Sequence, residues 1–580
     1  MQERMSFKFV EKYKKESILA PLFKLLEALM DLLVPVIIAH IIKNGIGKND
    51  MQYVIVMFIV LLLLAIAGML FSFTAQWFAA KASTGYATDL RQELFDNIQS
   101  LTYAEIDQLG TDTLITRMTS DVLQVQTGFN LALRLLLRSP FIVFGSLVVA
   151  FTIDIKMAII FAITIPVLAI VIFTIMSMSL PLYTKVQGAL DKLLATLREN
   201  LTGVRVIRAF RKEDAEVKQY KDENEALTKL NEKVGRLSAL MNPLTYIIIS
   251  VSTILLIRFG AIRVDGGFIQ QADVVALYNL MALIIVELIK LSTLIITMNK
   301  SIACLDRIED VLHVKRQMQY STKPVNEDEQ AAAVSFDHVS FAYPASSADA
   351  ITDITFTAKT GETIGIIGGT GCGKSTVVQL IPRYYDVQKG KVCIHGVDVK
   401  DYPEGALIDK VGMIPQKAIL FEGTIRENMK WGKEDATDEE IWQALEIAQA
   451  KDVVISKNGL DAMIEQNGRN LSGGQKQRLT IARALLKKPE ILIMDDSASA
   501  LDFVTDLKLR QAIAGLENKM TVFIVSQRAS SVRYADQILV LDDGNLVGKG
   551  THDELMHACS VYQEIYYSQF PEERPKEVLA

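Results

Sequence analysis

Three short stretches of the 580-residue chain carry side chains suited to holding a polyphosphate and a hard metal ion. The first, Gly368-Gly-Thr-Gly-Cys-Gly-Lys-Ser375, spaces its glycines so that backbone N–H groups can curl around phosphate oxygens without side-chain clash. It follows the apolar run 363–367 and leads into a helix-forming stretch, 376–380, so the partial positive charge of a helix N-terminus adds to the cradle. Lys374 would reach the β- and γ-phosphates, and Ser375 would ligate Mg²⁺. The second stretch is Leu471-Ser-Gly-Gly-Gln475. The third, Ile491-Leu-Ile-Met-Asp495, reads as a strand too apolar to be anything but buried, and its terminal carboxylate would hold the metal from the other side. The spacing predicts a nucleoside triphosphate site with Mg²⁺.

The rest of the chain must carry that site. Half of the residues are apolar and mean hydropathy is positive, yet 22% are charged, which points to membrane and soluble parts in series. The net charge of −6 is spread without a basic stripe, which argues against nucleic acid as a partner. Cys304, Cys372, Cys393 and Cys559 show no paired spacing and read as reduced cytosolic thiols.

Three uncharged runs are long enough to cross a bilayer, 52–80, 157–184 and 237–257, and three more cross once a few ionisable residues are allowed, 18–42, 129–153 and 272–299. Six spans put both ends on one side. Lys and Arg crowd the N-terminal tail and the segment 185–236, whereas the loop 260–271 holds only Arg263, so the tail and the nucleotide site are cytoplasmic. The loops 81–128 and 185–236 are helical in pattern, and the membrane helices are expected to continue through them as rods. Each rod pair would turn through a short helix touching the nucleotide domain, with 103–109 and 213–220 as the candidates. Glu27, Asp31, Arg134, Arg138, Arg258, Glu287 and Lys290 lie inside spans, where charge is costly. Arg134, Arg258 and Lys290 sit where they can snorkel, while Asp31 and Glu287 are candidates for lining a substrate path.

The fold class expected is an all-α six-helix transmembrane domain with long cytoplasmic helical extensions, followed by an α/β nucleotide-binding domain. Its parts are an interfacial N-terminal helix (1–17), the membrane domain (18–313), a polar linker (314–333), the nucleotide domain (334–570) and a charged, disordered tail (571–580).

Six spans, a phosphate loop, Leu471–Gln475 and an Asp-ended strand together make a chain that resembles the ATP-binding cassette exporters of the half-transporter type. The resemblance implies ATP and Mg²⁺ as cofactors, held by Gly368, Gly369, Thr370, Gly371, Cys372, Gly373, Lys374, Ser375 and Thr376, with Ser375, Gln416 and Asp495 about the metal. It implies that Tyr343 stacks on adenine and that Gln416 senses Mg²⁺ and meets the coupling helices. Ser472, Gly473, Gly474 and Gln475 would contact ATP held by a second half-transporter, and Asp502 would lie in the loop that crosses the dimer interface.

Two positions depart from the family pattern. Asp496 stands where the family has Glu to polarise the attacking water, one methylene shorter and about 1.5 Å withdrawn. Gln527 stands where the family has the switch histidine, and it cannot share a proton as His can. A weaker departure, Glu465-Gln-Asn-Gly468, precedes the signature. Asp496 and Gln527 belong to the site on this chain's own phosphate loop, whereas Leu471–Gln475 serves the other site and is intact. The expectation is a heterodimer in a bacterial cell membrane, exporting amphipathic molecules such as drugs or lipids, with hydrolysis concentrated on the partner's phosphate loop. A homodimeric exporter, a nucleotide-gated channel-like protein and an importer are the alternatives.

Overall fold

The structure is a computed structural model, and it describes residues 7–574 apart from 329, 345, 347, 498–499 and 517–519. The first six residues of the expected N-terminal helix and 575–580 of the expected tail lie outside the described residues. The chain divides into two units, residues 1–99 with 112–314, and residues 100–111 with 315–580.

The first unit is helical. Its long helices are α1 (Lys14–Ile46), α2 (Met51–Ser100, whose last residue lies in the second unit), α4 (Thr111–Ile153, whose first residue lies in the second unit), α5 (Ile155–Thr202), α7 (Glu213–Asp265) and α8 (Gln271–Leu312). All six are apolar and long enough to cross a membrane, and the chain is an integral membrane protein. At about 1.5 Å per residue, the fifty residues of α2 run to roughly 75 Å, against about 30 Å of hydrocarbon. The helices therefore continue as rods beyond the bilayer. Asp154 caps α5, accepting from the Met157 N–H at 3.0 Å, and Arg263 at the far end of α7 binds the same carboxylate through Nε at 3.1 Å. One ion pair thus closes the side of the bundle opposite the N-terminus.

Six of the charges inside the spans, Lys24, Glu27, Asp31, Arg138, Glu287 and Lys290, form one connected group. Arg138 of α4 donates to Asp31 of α1 at 2.8 Å and to Glu287 of α8 at 2.5 Å, and lies 3.7 Å from Glu27. Lys24 binds Glu27 at 2.5 Å, and Lys290 and Ser139 bind Glu287 at 2.8 Å each. Three cations face three carboxylates, so the group is neutral, as a low-dielectric setting demands. Two expectations change. Glu287 is only 4% exposed with its oxygens taken, which makes it a strut of the bundle and not the lining of a path. Lys290 stays 42% exposed but spends its ammonium on Glu287 rather than on the interface alone, because a buried carboxylate offers more.

Between α2 and α4 lies α3 (Tyr103–Leu109), the short helix expected at 103–109, opened by a capping box of Thr102 and Glu105. The other expected turn is displaced. The short helix there is α6 (Val204–Ala209), and 213–220 instead begins the long helix α7. Glu213, Asp214 and Glu216 in one turn favour a helix N-terminus, and no Pro follows to stop it before Ala239, the single Gly235 being carried inside the helix.

The second unit is an α/β domain around a six-stranded sheet ordered β12-β11-β3-β10-β9-β6. These strands are β3 (Thr363–Gly368), β6 (Val411–Ile414), β9 (Ile491–Asp495), β10 (Thr521–Val525), β11 (Gln537–Asp542) and the antiparallel edge β12 (Asn545–Gly550). A four-stranded sheet is ordered β2-β1-β4-β5, from β1 (Val334–Phe341), β2 (Ile351–Ala358), β4 (Lys389–Ile394) and β5 (Val397–Asp398); β7 (Gly423–Thr424) pairs with β8 (Met463–Ile464). The central strands are continuous apolar runs because both faces are covered. Ile364, Ile366, Ile491, Ile493, Phe523 and Val525 face the β1–β2–β4 layer, and Ile367, Leu492, Met494, Val522 and Ile524 face a helical layer. Where a disordered tail was expected, Pro571–Glu573 forms a short 3₁₀ turn, and Tyr566 donates to Glu573 at 2.7 Å.

Arg138→Met should leave Asp31 without its partner and Glu287 without its Arg138 contact, and cost about 3–5 kcal/mol. Thermal unfolding of the solubilised protein should show a large loss of stability, and adding Asp31→Asn and Glu287→Gln should restore much of it.

Candidate functional site

Four parallel strands, β3, β10, β9 and β6, lie side by side, and the motif residues sit beyond their carboxyl ends. The loop Gly368–Gly373 follows β3, Gln527 follows β10, Asp495 ends β9 with Asp496 next, and Gln416 follows β6. Residues up to 159 apart in sequence are thus gathered by strand register alone, in the crevice where open α/β sheets place ligands.

The phosphate loop wraps the N-terminus of α9 (Lys374–Leu380). A Cβ on Gly368 would lie 2.1 Å from the Leu541 carbonyl oxygen of β11, so only glycine fits there. Gly373 has φ +93, a left-handed conformation that favours glycine. Gly369 and Gly371 face open space, which leaves the mouth of the loop clear for a ligand. Lys374 Nζ donates to the Gly368 and Gly369 carbonyl oxygens at 3.0 and 2.5 Å, which holds its charge inside the cradle, and Cys372 and Thr376 are buried beside it.

The metal-type donors meet. Ser375 Oγ donates to Asp495 Oδ1 at 2.8 Å, an arrangement of hydroxyl and carboxylate oxygen that suits a hard cation such as Mg²⁺. Asp495 is only 4% exposed, and burial pushes its carboxyl above the ordinary range, with Asp496 adding to the rise and the Ser375 hydrogen bond and Lys374 opposing it. Gln416 is exposed, and its amide reaches Asp496 Oδ2 at 3.3 Å; among the described residues it has no hydrogen bond to Ser375 or Asp495. Asp496 has φ +46, a conformation Asp tolerates better than most residues, and its N–H donates to the Val525 carbonyl at 3.0 Å. Gln527 is exposed, and its backbone carbonyl accepts from Gln569 Nε2 at 2.8 Å.

Other named residues are engaged locally. Ser472 caps α10 (Gly473–Leu486) and forms a reciprocal capping box with Gln475, at 3.3 and 2.9 Å. Gly473 faces open space, whereas a Cβ on Gly474 would lie 3.0 Å from the Ala500 carbonyl oxygen. This puts an exposed helix N-terminus, a place that favours anions, at the signature. Asp502 caps α11 (Phe503–Ala514) through Thr505, whose hydrogen bonds hold the Asp502 carboxyl below its usual range. Tyr343 sits edge-on to Phe341 and Tyr385, with its hydroxyl 3.1 Å from Thr376 Oγ1 and 3.2 Å from Gln379 Oε1.

Sequence reasoning missed the aromatic ladder beside Tyr343. Tyr103 of α3 stacks on Tyr384 with centroids 4.5 Å apart, and the Tyr385 hydroxyl donates to Asp107 of α3 at 2.5 Å. Burial and Asp107 push the Tyr385 hydroxyl pKa well up. The signal was the pair Tyr384-Tyr385 following the loop helix, where a turn toward solvent would favour polar residues. Elsewhere Glu327, His395 and Glu490 cluster within 4.8 Å, but Lys410 binds both carboxylates at 3.0 and 2.7 Å.

Comparison with known proteins agrees with this geometry. Residues 17–288 match the family model described as ABC transporter transmembrane region, and residues 351–499 match the one described as ABC transporter. The uncharacterised ABC transporter ATP-binding protein YfiB of Bacillus subtilis (strain 168) is 36% identical over 578 residues, 99% of each chain. The probable multidrug resistance ABC transporter ATP-binding/permease protein YheI of the same organism is 34% identical over 483 residues, 83% of this chain and 82% of YheI. A solved structure of a bacterial Atm1-family ABC exporter with ATP bound superposes with a TM-score of 0.80 at 22% identity, covering 96% of this chain and 99% of that one, which shows a shared fold.

Asp495→Asn separates stability from ligand binding. Because burial raises the Asp495 pKa, the folded state holds its proton more tightly than the unfolded state, so its charge costs stability once pH rises past the ordinary carboxylate value. At pH 7 the Asn variant should unfold at a temperature equal to or higher than that of the parent without nucleotide, yet lose most of the extra stability conferred by ATP with Mg²⁺. Thermal scans with and without Mg²⁺ check both signs.

Proposed function

The chain belongs to the ATP-binding cassette transporters, and on that premise we propose that it is one half of an asymmetric exporter dimer with an ATP site on its own phosphate loop that turns over slowly. The observation that carries this is the chemistry at the ends of β9 and β10. The base position holds Asp496, and the switch position holds Gln527, while the metal pair Ser375–Asp495 is in place. Such a site retains what binds a nucleotide and loses reach where water must be activated; misplacement near 1 Å costs about a hundredfold in rate.

The signature helix favours the same reading. Its N-terminus is exposed and preorganised by Ser472 and Gln475, ready to meet a γ-phosphate held by a partner half-transporter whose own loop would carry Glu and His. In this dimer ATP with Mg²⁺ would lie between the loop of one half and the signature of the other. Closure of the two nucleotide domains would switch the membrane helices from inward to outward facing. The cargo would be amphipathic small molecules, drugs or lipids, taken from the cytoplasm or inner leaflet. Relatives such as YheI carry multidrug resistance in their names, which supports that cargo class.

Asp496→Glu together with Gln527→His should raise turnover on this chain's loop by about tenfold to a hundredfold. Single-turnover hydrolysis of trapped nucleotide reads this directly. Nucleotide retained unhydrolysed after the double change would locate the defect elsewhere.

A further inference from the structure

The charge group inside the spans is closed at its centre and open at its ends. Arg138 is 10% exposed and Glu287 4%, but the side chains of Asp31 and Lys290 are 40% and 42% exposed on the surface of this chain. A charge facing hydrocarbon costs about 2.5–3.5 kcal/mol even on insertion scales, which disfavours lipid against the face where these two emerge and favours a water-filled cavity or a partner half there.

We infer that Asp31 receives the positive charge of an amphipathic organic cation, which makes it a specificity residue of the membrane domain. Only one of its oxygens is engaged, Oδ2 by Arg138 at 2.8 Å; Oδ1 has no hydrogen bond among the described residues. Arg138 does not depend on Asp31, since Nη1 stays on Glu287 at 2.5 Å and Glu27 lies 3.7 Å away. A cation can therefore take Asp31 without leaving a buried guanidinium unpaired. Lys290 cannot play the mirror role for anions. Buried Glu287 relies on it, because Arg138 is already shared among three carboxylates. One and two turns further along α1, half-buried Val34 and Ile38 supply apolar surface next to the carboxylate, so charge and hydrocarbon are presented together. The assignment names the cargo class of the proposed exporter and rests on that reading for its transport meaning.

The test is binding of tetraphenylphosphonium and of neutral triphenylphosphine oxide to the full-length dimer in nanodiscs, corrected for empty discs. Asp31→Asn should weaken the cation at least about tenfold, the loss of one charge-assisted contact, and leave the neutral probe unchanged. Asp31→Glu should keep cation affinity within about threefold. Equal affinity for both probes in the parent, no cation binding at all, or parallel loss of both in Asp31→Asn would overturn the assignment. ATP hydrolysis measured on the same samples keeps the two readings apart. Turnover stimulated by the neutral probe alone retains the exporter and removes the cation site. Cation binding that needs Asp31, without hydrolysis in any dimer, retains the site and removes the pump.

Discussion

A carboxylate at the end of a strand buried on both faces cannot be left uncompensated, and the nucleotide domain is arranged around meeting that demand at Asp495. Parallel register brings β3 and β9 into one sheet with β10 between them, and that spacing sets the Ser375 hydroxyl against the Asp495 carboxylate. Desolvation still pushes the Asp495 carboxyl upward, so the site stores a cost that a divalent cation with a polyphosphate would relieve. The rest of the site follows from the same row of strand ends. Asp496 comes next on β9, Gln527 leaves β10, and Gln416 leaves β6 and reaches Asp496. On the proposed reading, the departures at Asp496 and Gln527 would fall on groups that act on water, while the residues that would hold phosphate and metal are kept.

The membrane unit meets the same electrostatic demand by different means. With no strand ends to set spacing, three helices contribute three cations and three carboxylates, and Arg138 joins them because a guanidinium can serve several oxygens at once. The closing turn at Asp154 and Arg263 repeats this on a smaller scale. Both units thus place a polar cluster where burial makes its pairing compulsory.

Much of this was legible in the residues. Glycine spacing, the Asp-ended strand and the long apolar runs can each be read locally, and the six long apolar helices and the α/β domain after them appear where they were expected. What was not legible depends on partners distant in sequence. Glu287 looked like a path-lining acid because Arg138, 149 positions away, is invisible to local pattern. The turn near 213–220 was misplaced because acidic residues that open a helix read like a surface turn until α6 is seen beside it. The Tyr103–Tyr384 stack and the Asp107–Tyr385 bond join α3 to residues just after the loop helix, 278 positions apart in sequence for the bond, and no periodicity announces them.

The central claim is that two unlike halves share the work, and steady-state ATP hydrolysis tests it most directly. The purified chain alone should turn over negligibly, and the same chain co-expressed with a half-transporter carrying Glu and His at the corresponding positions should turn over substantially. Brisk hydrolysis by the chain alone would mean that Asp496 is an adequate base, that a homodimer is the working form, and that the asymmetry read from Asp496 and Gln527 is wrong.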